Sequence, residues 1–158
     1  MRSVYPKLFF VASLVVLVDQ VTKSLALEHL AGGPVDLIEG AVTFRLTFNS
    51  GGAFGILQGF PAFFLVATIV AGVVIVVWVR HIDEPGWTIP LGLVLGGGVG
   101  NVIDRVVRDT PGVVDFVDLH VWPVFNVADS CIVTGVLVIL FLGLRSDRHE
   151  RRAEQAEE

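Results

Sequence analysis

Two aspartates in the last third of the chain have the type and placement for acid–base chemistry: Asp115 in Val113-Val-Asp-Phe-Val-Asp118 and Asp129 in Trp122-Pro-Val-Phe-Asn-Val-Ala-Asp129. When two carboxyl groups sit close together, repulsion and desolvation raise the affinity for one shared proton, leaving one acid and one base at neutral pH. The titration then belongs to the pair. Such a pair hydrolyses an amide without a nucleophilic side chain or a metal: the ionised member deprotonates a water that attacks the carbonyl carbon, while the protonated member hydrogen-bonds the carbonyl oxygen. Each residue also has a plainer reading. Asp115 fits a turn in an outer loop, and Asp129 fits a helix cap, because aspartate is favoured near helix N-termini. Asn126 is divided between cap and site in the same way. Asp118, at odd spacing from Asp115, points to the other side of an extended segment and is expected at the surface. His29 and His120 are lone histidines without a partner cluster, so a zinc site has little support.

Further ionisable residues stand inside apolar stretches, where they are expensive and mark either a functional site or a buried pair. Asp19 and Lys23 are four residues apart on one helical face, so their charges can meet. An ion pair fixing the first helix and a direct catalytic role both fit. Asn101 and Arg105 share another helical face, and Arg105 has the planar fork that holds a carboxylate or a phosphate head group. Asp104 and Arg108 have the spacing of a solvated helical pair and are expected to be structural.

The elements that must position these residues follow from composition. Of 158 residues, 53% are hydrophobic and 17% charged, and the mean hydropathy is +0.73, too apolar for an ordinary soluble domain. A helix needs about 20 mostly apolar residues to span a bilayer, and four segments approach that length, at 8–27, 60–79, 87–107 and 128–144. The expected architecture is an all-α polytopic membrane protein with one domain over 1–144 and a charged tail over 145–158. Arg2 and Lys7 ahead of the first apolar run resemble a cleavable signal peptide, but three further spans argue against that. The single cysteine, Cys131, excludes an internal disulfide, and its neighbours Ala128-Asp129-Ser130 do not make a lipidation site. Basic residues favour the cytoplasmic side of short loops. Arg2, Lys7, Arg80, Arg145, Arg148, Arg151 and Arg152 fall on one side, against Arg45, Arg105 and Arg108 on the other. Both termini are therefore expected in the cytoplasm, and segments 28–59 and 108–127 outside it. The net charge of −5 owes much to the acidic tail and does not point to nucleic acid.

Between the spans, Gly32-Gly33-Pro34 breaks the first helical pattern, and Ala41-Val-Thr-Phe-Arg-Leu-Thr-Phe48 alternates like a short strand on the outer surface. A plain connecting loop is the other reading. Arg80-His-Ile-Asp-Glu-Pro-Gly86 reads as a tight cytoplasmic turn. The third span carries Gly92, Gly96, Gly97, Gly98 and Gly100, and each interior glycine costs about 1 kcal/mol against alanine. Close helix packing offsets such a cost in membranes. Close approach of a substrate backbone is a second use.

Taken together, Asp19-Gln-Val-Thr-Lys23, Asn49-Ser-Gly-Gly-Ala-Phe54, Gly96-Gly-Gly-Val-Gly-Asn-Val-Ile-Asp-Arg105, Val113-Val-Asp-Phe-Val-Asp118 and Phe125-Asn-Val-Ala-Asp129 resemble, in order, the motifs of the lipoprotein signal peptidase family, signal peptidase II. The resemblance covers most of the chain. It implies four transmembrane helices with a small extracytoplasmic β cradle, and a bacterial inner-membrane enzyme that removes the signal peptide just before a diacylglyceryl-modified cysteine. It also implies that Asp115 and Asp129 are the catalytic pair. Asp19, Lys23, Asn49, Gly51, Gly97, Gly100, Asn101, Arg105, Asn126 and Ala128 are carried over as supporting or substrate-binding positions. The implied partners are prolipoproteins and membrane lipids, with no cofactor, no nucleic acid and a monomeric enzyme. Two departures stand out. Gly52 occupies a place where many members have another small residue, which should loosen the cradle loop. Only six residues separate Asp118 from Phe125, so the outer flap is not predicted.

Two other functions fit parts of the same pattern. A small proton-coupled transporter would use Asp19, Lys23 and Asp129 as a charge relay, but it needs polar groups at successive depths, and the second and fourth spans are apolar through their centres. An intramembrane protease of the Gly-x-Gly-Asp type fails because that tetrapeptide does not occur.

Overall fold

The first apolar run forms helix α1, Tyr5–His29, with proline in its opening turn, where the missing N–H would have no intrahelical acceptor in any case. The computed structural model describes residues 4–51, 61–82 and 85–157, the side chains at 61, 85 and 146–157 excepted. Arg2, and Gly52 with the neighbouring Ala53 and Phe54, lie outside the described residues. Strands β1 (Val35–Ile38) and β2 (Val42–Asn49) follow, then α2 (Pro61–Trp78), α3 (Thr88–Val106), β3 (Val113–Asp118) and α4 (Val127–Glu157). Short 3-10 turns, Val79–His81 and Pro85–Trp87, flank the α2–α3 turn.

All four helices are long and apolar enough to cross a membrane, α4 over its Val127–Arg145 part. Their outward faces carry Phe10, Leu17, Val73, Leu137 and Phe141, each more than half exposed, a surface that suits hydrocarbon and not water. Helix α4 continues through the charged segment after 144, to Glu157. Its run of arginine, glutamate and alanine favours helix by intrinsic propensity.

Helix α3 is the centre of the bundle. Half of its apolar window is buried, against 11% for α2 and for α4, and it packs mainly on α1 and α4. The glycines make this approach. A Cβ on Gly97 would lie 2.5 Å from the Ala128 carbonyl oxygen of α4, and one on Gly96 would lie 2.6 Å from the Ala12 carbonyl oxygen of α1. At the end of α3 remote from the sheet, Leu8, Ile75, Val79 and Leu91 form an apolar cluster.

The strands form one antiparallel sheet in the order β1-β2-β3. The alternating run at 41–48 is thus a true strand, and a second strand, β1, precedes it. Thr47 faces Asp115 and Asn49 faces Val113 across the β2–β3 ladder. Ala26 and Leu30 at the end of α1 pack with Phe116 beneath the sheet, which fixes the sheet on one end of the bundle. The chain after β3 then folds back: Phe116 and Val117 N–H both donate to the Phe125 carbonyl, at 3.1 and 2.9 Å. That return sets the start of α4 beside β3.

Candidate active site

Asp115 belongs to a strand, not to an outer loop. It is 1% exposed, and with Asp129 it lines a cavity of about 440 Å³ at the sheet end of the bundle. Asn49, Gly51, Asn101 and Arg105 line the same cavity. Asp19, Lys23, Gly97, Gly100, Asn126 and Ala128 are not among its walls; they stand behind it. Gly97 lies against α4 and Gly100 gives room to the Asp19 carboxylate, where a Cβ would come within 2.5 Å of Oδ2. At these two positions the glycines of α3 make room for close packing of α4 and of the Asp19 carboxylate.

Asn126 has both of the roles open to it. Its Oδ1 accepts the Asp129 N–H at 2.8 Å, three residues on, as a helix N-cap does. An amide oxygen turned to that donor turns Nδ2 the other way, and Nδ2 donates to Asp115 Oδ1 at 2.6 Å. Asn101 is oriented by the same logic. Lys23 Nζ, a donor only, binds Asn101 Oδ1 at 2.9 Å. The Asn101 Nδ2 must then face away, and it donates to Asp129 Oδ1 at 2.8 Å. Asn126 Nδ2 also lies 3.2 Å from Asn101 Oδ1. Each aspartate thus takes one amide N–H from an asparagine whose orientation a second, obligate donor fixes.

Behind the asparagines is a buried ion lattice. Lys23, Asp19 and Asp104 have side chains of 0% exposure, and Lys23 Nζ lies 2.9 Å from both Asp19 Oδ2 and Asp104 Oδ2. With Asn101, all three ammonium hydrogens have an acceptor, the condition under which a buried charge is tolerable. Gln20 Nε2 reaches Asp19, the Gly100 carbonyl and Asp104, each at 3.1 Å. Arg108 adds Nε to Asp104 at 3.2 Å and an Nη to Gln20 Oε1 at 2.9 Å. The expected solvated pair of Asp104 and Arg108 is therefore corrected: Asp104 is part of the lattice, and the ion pair is drawn inward by Lys23 and Gln20.

Arg105 donates to the Asn101 carbonyl and to the Gly51 carbonyl, both at 3.2 Å, and its guanidinium carbon lies 6.0 Å from the Phe64 ring centre. Its Nε is buried without a partner among the described residues. Asn49 Oδ1 accepts the Gly51 N–H at 2.9 Å, which closes the turn beside the cavity. Asp118 is not at the surface as expected. It is 5% exposed, with Arg45 Nε at 2.7 Å and the His120 N–H at 2.8 Å on its carboxylate. These partners lie on the far side of β3 from Asp115.

The site is electrostatically uneven. Burial, and then the charge of Asp129, push the Asp115 carboxyl up to about 7, while hydrogen bonds from Asn49 and Asn126 and the charge of Lys23 pull it back. The Asp115 carboxyl therefore holds its proton to a much higher pH than an ordinary carboxyl group does. Gln20 and Asp104 are the residues that sequence reasoning left without a site role. The signal for Asp104 was present: Gly97, Asn101 and Asp104 recur at intervals of four and three, on one helical face.

A family model described as signal peptidase (SPase) II matches residues 11–145. A lipoprotein signal peptidase of Mycolicibacterium smegmatis is 42% identical over 87% of this chain and 60% of its own length. One of Rhodococcus jostii is 43% identical over 94% of this chain and 79% of its own. The chain thus spans about three fifths of the first relative and about four fifths of the second. Among solved structures, a bacterial membrane enzyme determined by the in meso method at 2.3 Å resolution superposes with a TM-score of 0.81 at 31% identity, over 89% of this chain and 88% of that one.

Proposed function

The chain belongs to the signal peptidase II family, and from that premise we propose that it is an aspartic endopeptidase of the bacterial inner membrane. It removes the signal peptide from prolipoproteins by cutting the peptide bond on the N-terminal side of the diacylglyceryl-modified cysteine. Asp115 and Asp129 are its catalytic pair. The observation that carries this reading is the convergence of two carboxyl groups on different elements, Asp115 buried and Asp129 half-buried, in one cavity at the end of an apolar bundle.

The chemistry follows from the shared proton. The ionised carboxylate takes a proton from a water whose oxygen bonds to the scissile carbonyl carbon, and the protonated partner gives its proton to the carbonyl oxygen. Collapse of the resulting gem-diol breaks the C–N bond, with a proton passing to the departing amine of the cysteine. The products are a signal peptide carboxylate and a free lipidated N-terminus. Arg105, with a buried Nε, supplies a donor for a substrate carbonyl beside the pair.

Two features support a lipidated substrate. The polar cavity shares Ile132 with an apolar groove of about 1060 Å³ that runs along α2, between Phe64 and Val77. The groove does not need to extract acyl chains from water, because they are already in lipid; it guides them, and the peptide lies along the sheet. The excess of basic residues in the sequence segments on the side of the termini supports both termini in the cytoplasm and the cavity on the extracytoplasmic side.

The test is a gel-shift cleavage assay with purified protein, on a diacylglyceryl-modified prolipoprotein and on its unmodified precursor. Cleavage of the modified form alone is expected. A folded protein that cleaves neither form, or both equally well, overturns the reading.

A further inference from the structure

Asp19 and Asp104 are two buried carboxylates that the hydrolytic steps leave unused, and they make the same contact in two places. Asp19 Oδ1 accepts the N–H of Ala128 at 3.0 Å, and Ala128 immediately precedes Asp129. Asp104 Oδ2 accepts the N–H of Val114 at 3.0 Å, and Val114 immediately precedes Asp115. Both carboxylates are tied to the one ammonium of Lys23, at 2.9 Å each. Lys23 is on α1, Asp104 on α3, Val114 on β3 and Ala128 on α4, so one charge links all four elements on which the pair depends.

The Val114 contact is the more telling. N–H groups along a strand point alternately to its two sides. On the side of β3 away from β2, Phe116 N–H is taken by the Phe125 carbonyl at 3.1 Å. Val114 N–H, two residues earlier, is taken by a side chain instead. The returning chain meets this residue only through Asn126 Nδ2 on the Val114 carbonyl, at 3.3 Å, and Asp104 supplies the acceptor for its N–H. From this we infer that Asp104 is a positioning residue for Asp115, the counterpart of Asp19 for Asp129, with Lys23 setting the separation of the two arms. This rests on the reading of Asp115 and Asp129 as the catalytic pair.

An asparagine at 104 reproduces only half of the arrangement. One Asp104 oxygen takes Lys23 and Val114, and the other takes Gln20 and Arg108. All four are donors to it, and an amide offers them one acceptor oxygen. The Asp104→Asn variant loses its grip on one side and leaves the charge of Lys23 balanced by Asp19 alone. The charged groups around the pair are Asp19, Lys23, Asp104, Arg105 and Arg108, and removing one negative charge lowers the affinity for the shared proton.

The experiment is cleavage kinetics of full-length Asp104→Asn and Asp104→Glu on modified prolipoprotein across pH, with amide exchange at Val114 followed in wild type and variants. In Asp104→Asn, kcat should fall by about tenfold to a hundredfold, the cost of displacing a reacting group by a fraction of an ångström to an ångström. KM should change little, the alkaline limb of the profile should move to lower pH, and Val114 should exchange faster. Asp104→Glu should recover part of kcat. A folded Asp104→Asn with wild-type kcat and an unmoved limb overturns the inference. So does loss of activity that follows thermal stability alone, with the surviving activity showing the wild-type profile. If Asp104→Asn does not fold, slow exchange at Val114 in wild type supports the contact, and exchange as fast as in an open edge strand overturns it. Absence of cleavage by wild type would instead refute the proposed function, and Val114 exchange would still test the contact.

Discussion

The two ends of α3 hold the molecule together by different means. At the end remote from the sheet, Leu91 packs with Leu8, Ile75 and Val79, contacts that depend on volume and not on direction. At the sheet end, Asn101 and Asp104 are almost as deeply buried, yet the polar atoms of these two side chains meet partners of fixed sense: donor to acceptor, charge to countercharge. The first arrangement tolerates conservative exchange, because any side chain of similar volume fills it. The second does not, because an amide or carboxylate turned over leaves a buried atom without a partner. Chemistry needs the second kind, since a shared proton depends on where each oxygen points.

The comparison breaks most sharply at the aspartates. Asp115→Asn and Asp129→Asn should each lower kcat by at least about a thousandfold while leaving the melting temperature within a few degrees, as loss of an acid or base predicts. Leu8→Ala at the other end should do the reverse. It should cost about 2–5 kcal/mol of stability with kcat per folded molecule unchanged, measured by chemical denaturation and by titration of active sites. Equal effects of both kinds of variant on kcat would erase the distinction.

Gly97→Leu tests the seam between the two ends. Its side chain would meet the Ala128 carbonyl, so α3 and α4 must separate and Asp129 must move with α4. Both stability and cleavage should fall, by about 1–3 kcal/mol for overpacking of this type. Normal activity at normal expression would show that the seam is not rigid.

The pH dependence follows from Asp115. Its carboxyl, ordinarily near 3.8, is held at about 7 in the fold, so the native state binds that proton more tightly than the unfolded chain does. Stability should fall as pH rises from about 4 to about 7 and then level off. Cleavage should decline as pH rises through about 7 and the shared proton is lost. In Asp115→Asn this part of the stability slope should disappear; a slope unchanged in the variant would assign it to another group.

The smallest effect is expected at the exposed edge of the sheet. Arg45 is half exposed in its pair with Asp118, and water screens such a pair, so Arg45→Ala should cost less than about 1 kcal/mol. A larger loss would mean that the far side of β3 is part of the polar lattice.

Much of this was legible in the sequence, for identifiable reasons. Runs of apolar residues disclose membrane helices because lipid imposes length and hydrophobicity on every span. The period-two pattern at 41–48 disclosed β2, and the spacing of Asp19 and Lys23 disclosed their pairing. The places that misled were those where distant segments meet. Asp104 and Arg108 read as a surface pair because helical spacing says nothing of the Lys23 and Gln20 that face them from α1. Asp118 read as exposed because its cover, Arg45, comes from another strand. Asp115 read as a loop residue because β3 exists only by pairing with β2 on one side and with Phe125 on the other.

The sequence by itself determined the four apolar spans, the strand that follows the first of them, and the resemblance of five motifs to signal peptidase II, because each depends on residues near one another in the chain. Only the tertiary structure decided that Asp115 and Asp129 share a cavity, that Asn101 and Asn126 each turn an amide N–H toward one of them, and that a single buried lysine ties together α1, α3, β3 and α4. The physical reason is that hydrogen-bond direction and burial are properties of pairs of atoms brought together from distant parts of the chain, and no local pattern of residues encodes them.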